Sequence, residues 1–130
     1  MTFKWKAAFV GMVLMAGSGW VQAKDMPAAG SMDPLKVAPD MYSLVFENDR
    51  VRVMQVVFKP GQSIKEHTHP NDHFVYVLEG GQLTINKKDT APSVADLKVG
   101  QVVWIPAETH WAKNTGPSQI KLLVNELKTK

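Results

Sequence analysis

The 130-residue sequence contains no cysteine. This excludes a disulfide framework, and it excludes the lipid-modified cysteine that would tether a bacterial lipoprotein. A basic stripe is missing as well. The formal net charge is +3, but the lysines and arginines are scattered, and no nucleic-acid-binding motif accompanies them. Nucleic acid is therefore not an expected partner. Nor does the apolar run from Ala7 to Trp20 suffice to span a bilayer. As a helix it would rise about 21 Å, against a hydrocarbon core of about 30 Å.

That run has the build of a secretory signal peptide. Lys4 and Lys6 precede it, and Val21-Gln22-Ala23 closes it with small residues suited to a signal peptidase. Cleavage is expected after Ala23, giving a domain layout of 1–23 signal peptide, 24–40 leader and 41–130 folded domain. Loss of the two lysines brings the mature charge to roughly +1. The expected product is exported, most simply to a bacterial periplasm, with no membrane partner after cleavage.

Residues 24–40 hold three prolines and no periodic apolar pattern, so they read as a flexible leader. Met26, Met32 and Met41 are too irregularly spaced to form a compact thioether site and read as packing residues. With 45% apolar and 21% charged residues overall, the remainder has the composition of one globular domain.

From Met41 onward, short β-branched and aromatic runs alternate with turn residues. Strands are expected at Tyr42 to Glu47, Val51 to Phe58, Ser63 to His69, His73 to Leu78, Gln82 to Asn86, Gln101 to Ile105, His110 to Asn114 and Ile120 to Leu127. No amphipathic helical stretch competes with them. Eight short antiparallel strands must close or double over to hide their edges, which predicts an all-β barrel or jelly roll. His73, Val75 and Val77 alternate with Phe74, Tyr76 and Leu78, so that strand is apolar on both faces and is expected between two sheets.

Histidine occurs four times, and three of the four fall within seven consecutive positions. An isolated histidine is more often a hydrogen-bonded core or surface residue, but this clustering favours a shared site. On a strand, His67 and His69 leave the same face with Cα atoms about 6.6 Å apart. A hairpin at Pro70-Asn71-Asp72 would return His73 beside them. His110, after the Pro106 turn, can arrive on an antiparallel neighbour. Imidazoles so gathered suit one divalent transition metal, whether iron, manganese, nickel, zinc or copper.

The spacing of Gly61, His67, His69, His73 and Gly80 closely resembles the first conserved motif of the cupin superfamily, with His73 standing where that motif has glutamate. Gly100, Pro106, His110 and Asn114 resemble the second motif, with Glu108 in place of a glycine and one residue fewer before the histidine. The resemblance runs from about Ser43 to Leu127. It implies a small single-domain cupin, a double-stranded β-helix, in which His67, His69 and His110 are metal ligands and His73 is one by position. It also implies a homodimer paired through outer strands.

Among other residues, Glu108 is a weak catalytic candidate, as general base or as an acceptor that fixes an imidazole tautomer. Glu66 alternates with His67 and should point away. Trp104 and Trp111 read first as core or rim residues and secondarily as walls of a substrate pocket, and Tyr76 and Gln55 are similar secondary candidates.

Three functions fit these observations. The first is a metal-dependent enzyme of dioxygenase or isomerase type acting on a small oxygen-bearing molecule. The second is a non-catalytic protein binding a metal or small ligand. The third is a barrel with a structural metal. No buried catalytic carboxylate is evident in the sequence, which weighs against the first.

Overall fold

The computed structural model describes residues 32–129. The expected signal peptide, its cleavage site and residues 24–31 of the leader lie outside the described residues. The rest of the leader differs from expectation. Pro34–Val37 forms a short helix, α1. Asp33 caps it by accepting the Leu35 N–H at 2.9 Å, and Pro34 occupies the first turn, where its missing N–H costs nothing. Pro34 is buried. The prolines that suggest disorder in sequence here start an ordered turn.

Nine strands follow: β1 (Tyr42–Glu47), β2 (Val51–Phe58), β3 (Ser63–His69), β4 (His73–Glu79), β5 (Gly81–Asn86), β6 (Ser93–Leu97), β7 (Val102–Ile105), β8 (Glu108–Asn114) and β9 (Ile120–Leu127). They form two antiparallel sheets, one ordered β1-β2-β9-β4-β7 and the other β3-β8-β5-β6. The chain passes from one sheet to the other at both Pro70-Asn71-Asp72 and Gly80, so the hairpin expected at Pro70-Asn71-Asp72 does not exist. Gly80 is required by space: a Cβ would sit 2.3 Å from the Leu97 carbonyl oxygen. Gly61 and Gly100, which open the two motifs, have φ of 79° and 84°, a left-handed conformation that glycine adopts without strain.

The inner faces of the two sheets share one core. Met54, Val56, Phe58, Val75, Val77, Ile120, Leu122 and Val124 come from the first sheet, and Ile64, Leu83, Leu97 and Ala112 from the second. This is the period-two alternation of strands with one buried face. The outer face of β4 departs from expectation, since no second layer among the described residues covers it. The register instead places Phe46, Val53, Asn125, Phe74 and Trp104 in one row across the five strands, with Phe46 and Trp104 exposed.

One irregularity positions the site. Between β3 and β8, Ile64 opposes Ala112 and His67 opposes His110, so β3 carries one extra residue at Lys65-Glu66. This bulge lets Ile64, His67 and His69 all face inward despite their uneven spacing.

Candidate metal centre

His67, His69, His73 and His110 are all buried on the inner faces, with exposures of 1%, 2%, 1% and 8%. His67 and His110 are direct cross-strand partners, with ring centroids 4.6 Å apart. His69 lies 5.1 Å from His67 and 5.3 Å from His110. The ligand nitrogens of His67, His69 and His110 all fall within 4.8 Å of one another. His73 is not in that group, although its ring is 4.4 Å from that of His69. It reaches the site from the facing sheet.

Each imidazole has its Nδ1 engaged. The Nδ1–H of His67 donates to the Lys65 carbonyl at 2.8 Å, and that of His73 donates to the Asn71 carbonyl at 3.2 Å. Carbonyls only accept, so these two rings hold their proton on Nδ1 and keep the Nε2 lone pair free. His69 Nδ1 lies 2.7 Å from Glu126 Oε1, and His110 Nδ1 lies 2.5 Å from Glu108 Oε1. A carboxylate or carbonyl behind each ring is the arrangement that orients a metal-binding histidine. The Nε2 of His67 is the one buried side-chain polar atom without a hydrogen-bond partner among the described residues. A buried polar atom left unpaired costs about 1–3 kcal/mol, so its retention points to a ligand.

Burial keeps the rings of His67, His69 and His110 neutral. Burial, with repulsion from His110 and His73, pushes the His67 pKa down to about 4. Burial, with repulsion from His73 and His67, takes His69 to about 3. Burial lowers His110 too, although Glu108 opposes the shift. Neutral imidazole is the form that binds metal. Burial raises Glu126 above the ordinary carboxyl value against the opposing charge of Arg52. Burial also disfavours ionised Glu108, but its hydrogen bonds from Lys87 and His110 outweigh this and hold it low.

Glu126 is the carboxylate that sequence reading missed. It is 2% exposed, and its signal was available: Ile120, Leu122, Val124 and Glu126 share the inward phase of β9. Tyr42 was also missed as a site residue. It begins β1, is buried, and presents its ring 5.9 Å from His67. Burial and the nearby charge of Glu126 raise its phenol pKa, so it remains a neutral hydrogen-bond donor.

The histidines open on an internal cavity of about 80 Å³. Apart from them and Tyr42, its walls are apolar, including Val56, Phe58, Val75, Leu83, Leu97 and Leu122. Neither Glu108 nor Glu126 lines it. Trp104, Trp111, Tyr76 and Gln55 do not line it either: Trp104 is 57% exposed, and Tyr76 and Gln55 lie on the outer face. Glu66 is exposed, pointing away as expected.

Two antiparallel sheets with histidines converging between them define a double-stranded β-helix with an internal three-histidine group that could hold a metal ion. The family model for the cupin domain (Cupin_2) matches residues 54–125, and the chain belongs to that family. A cupin domain from Bordetella pertussis Tohama I is 22% identical, with a TM-score of 0.64 over 68% of this chain and 93% of that one. A cupin superfamily protein from Desulfitobacterium hafniense DCB-2 is 25% identical, with a TM-score of 0.52 over 68% and 77%. A cupin family protein with a double-stranded β-helix fold from Methanocaldococcus jannaschii is 15% identical, with a TM-score of 0.56 over 67% and 78%. No curated protein matches the sequence.

Proposed function

We propose that the protein binds one divalent transition metal through the Nε2 atoms of His67, His69 and His110, with His73 as a fourth ligand or a cavity wall, and acts on a small oxygen-bearing molecule in the adjoining cavity. The observation that carries this reading is the buried, unpartnered Nε2 of His67 amid rings whose Nδ1 atoms are all tied back. An all-imidazole donor set suits borderline metals such as iron, nickel, zinc or copper better than magnesium or calcium. When bound, such an ion supplies Lewis acidity toward an oxygen donor. The chain's own residues orient the imidazoles, keep those of His67, His69 and His110 neutral and exclude water with an apolar wall. With no carboxylate lining the cavity, dioxygenase-type chemistry fits better than an isomerisation that needs a carboxylate base.

The test is elemental analysis of protein from its native compartment, followed by oxygen-uptake assays with small enols, phenols and hydroxy acids. About one equivalent of metal is expected, lost in His67→Ala. A metal-loaded protein that turns over none of these molecules supports the alternative, a non-catalytic metal or small-ligand binder.

Export and pairing belong to the same proposal. Residues 1–23 support secretion, which predicts a periplasmic form beginning at Lys24 on N-terminal sequencing. The outer row from Phe46 to Trp104, exposed at its two apolar ends and interrupted by Asn125, supports a homodimer, since exposed apolar surface marks interaction sites. Light scattering at twice the monomer mass is the expected result.

A further inference from the structure

Two contacts join the N-terminal turn to the strand that carries His67 and His69. Thr68, between them, donates its backbone N–H to the Met32 carbonyl at 2.8 Å. The second contact runs through charges. Asp33 accepts from Arg52 Nη2 at 2.8 and 3.0 Å through its two oxygens. Arg52 Nη1 lies 3.5 Å from Glu126 Oε2, and Glu126 Oε1 is 2.7 Å from His69 Nδ1. Arg52 and Glu126 are also direct partners across β2 and β9.

Each interior member spends separate atoms on its two neighbours, so loss of one group leaves the next with an unmet valence. That matters because the relay runs inward from part-buried to buried groups: side-chain exposures are 13% for Asp33, 15% for Arg52 and 2% for Glu126. Buried charges that lose a partner are costly, and networks of this kind act as units. Asp33, Arg52 and Glu126 all lie outside the segment 54–125 that matches the family model. Arg52 and Glu126 stand on the barrel strands β2 and β9, whereas Asp33 belongs to the N-terminal turn, so the relay links that turn to the barrel.

We propose that Asp33, Arg52 and Glu126 form a positioning relay for His69, through which the N-terminal turn sets the affinity of the metal centre. The inference rests on the metal-binding reading above. Glu126 fixes the proton of His69 on Nδ1, aims Nε2 inward and raises the ring's basicity. Arg52 holds the second carboxylate oxygen and so prevents Glu126 from turning away. Asp33 offsets the Arg52 charge, which alone would repel a cation from the centre. None of the three touches the ion, so they are positioning residues.

The test titrates the full chain with Zn²⁺ against a chromophoric chelator, alongside metal-free thermal unfolding. Glu126→Gln is expected to weaken Zn²⁺ binding by about 10- to 100-fold. Asp33→Asn should weaken it about 3- to 30-fold, the range of remote coupling, and Asp33→Glu should restore most of the loss. In a Glu126→Gln background, Asp33→Asn should add little, because the two act along one chain. The relay is overturned if Asp33→Asn and Arg52→Met lower the unfolding temperature but keep wild-type affinity, or if the Asp33 and Glu126 effects simply add. If wild-type protein binds Zn²⁺ no better than His67→Ala, the metal reading itself fails and the relay with it.

Discussion

The Nδ1–H of His67 donates at 2.8 Å to the carbonyl of Lys65, two residues earlier in the same strand. The bulge at Lys65-Glu66 makes this geometry. It interrupts the ladder to β8, turns the Lys65 carbonyl toward the ring and fixes the tautomer that leaves Nε2 bare inside the barrel. The same distortion therefore serves the site and burdens the metal-free fold, which must bury a nitrogen with no partner.

His67→Leu should separate those two effects. Leucine removes the unpaired nitrogen, worth about 1–3 kcal/mol, at the loss of one hydrogen bond of about 1 kcal/mol. The metal-free variant is expected to be as stable as the wild type or up to about 2 kcal/mol more stable, while Zn²⁺ affinity collapses by about 100-fold or more. Urea unfolding of the metal-free proteins checks the first half and isothermal titration the second. A variant several kcal/mol less stable would show that the nitrogen is satisfied in solution.

Acid should destabilise the metal-free protein well before its carboxylates titrate. An unfolded histidine takes a proton near pH 6.5, whereas folded His67 and His69 resist until about pH 4 and 3. Between those values the unfolded chain binds more protons, so stability falls as pH drops through 6.5 and keeps falling toward 4. Glu126 acts in the opposite direction, because its raised pKa lets the folded state gain a proton first. Burial of both rings makes the imidazoles dominate, with a loss on the order of 2–4 kcal/mol between pH 7.5 and 5. Urea midpoints at the two pH values measure it. An unchanged midpoint would mean that the rings are not held neutral.

How much of this was legible in the sequence depended on whether period two survived. His67 and His69 sit one residue apart, so their common face could be read directly, and His110 opposite His67 followed from antiparallel pairing. The bulge beneath them could not be read, since nothing in Lys65-Glu66 distinguishes an extra residue from a regular one. β6 was missed because Ser93-Val94-Ala95-Asp96-Leu97 offers only Ala95 and Leu97 to the core, after a turn-rich stretch that hides where pairing resumes. The order of α1 was masked by prolines that serve its first turn. Glu126 was within reach, as a carboxylate in the apolar phase of β9. His73 was placed near the others for the wrong reason, since it comes from the facing sheet and not from a hairpin.

Glu108 faces His110 from two residues back, also contacts Lys87, and does not line the cavity. Its position suits an acceptor that fixes the His110 ring better than a general base. Glu108→Gln is therefore expected to weaken metal binding by about 10-fold, at the mild end of such losses, with unfolding temperature little changed. Competition titration with Zn²⁺ reads the effect. Unaltered affinity combined with lost turnover would return Glu108 to the role of base.

Asn114 matches the second motif yet serves the fold. It is fully buried, and its Nδ2 donates to the Phe58 carbonyl at 3.0 Å and the Ser118 carbonyl at 2.7 Å, while its Oδ1 accepts from the Gly116 N–H at 3.0 Å. One side chain thus ties the end of β2 to the turn between β8 and β9. Asn114→Ala removes three hydrogen bonds to backbone groups at once, that to Phe58 buried and those to Ser118 and Gly116 part-buried, each worth about 1 kcal/mol. A loss of about 3 kcal/mol is expected, read as a lower urea midpoint with unchanged slope. Because Asn114 touches none of the four imidazoles, Zn²⁺ affinity of the remaining folded protein should stay within about threefold of wild type, the scale of independent sites. A large loss of affinity at full stability would instead place Asn114 among the residues that shape the centre.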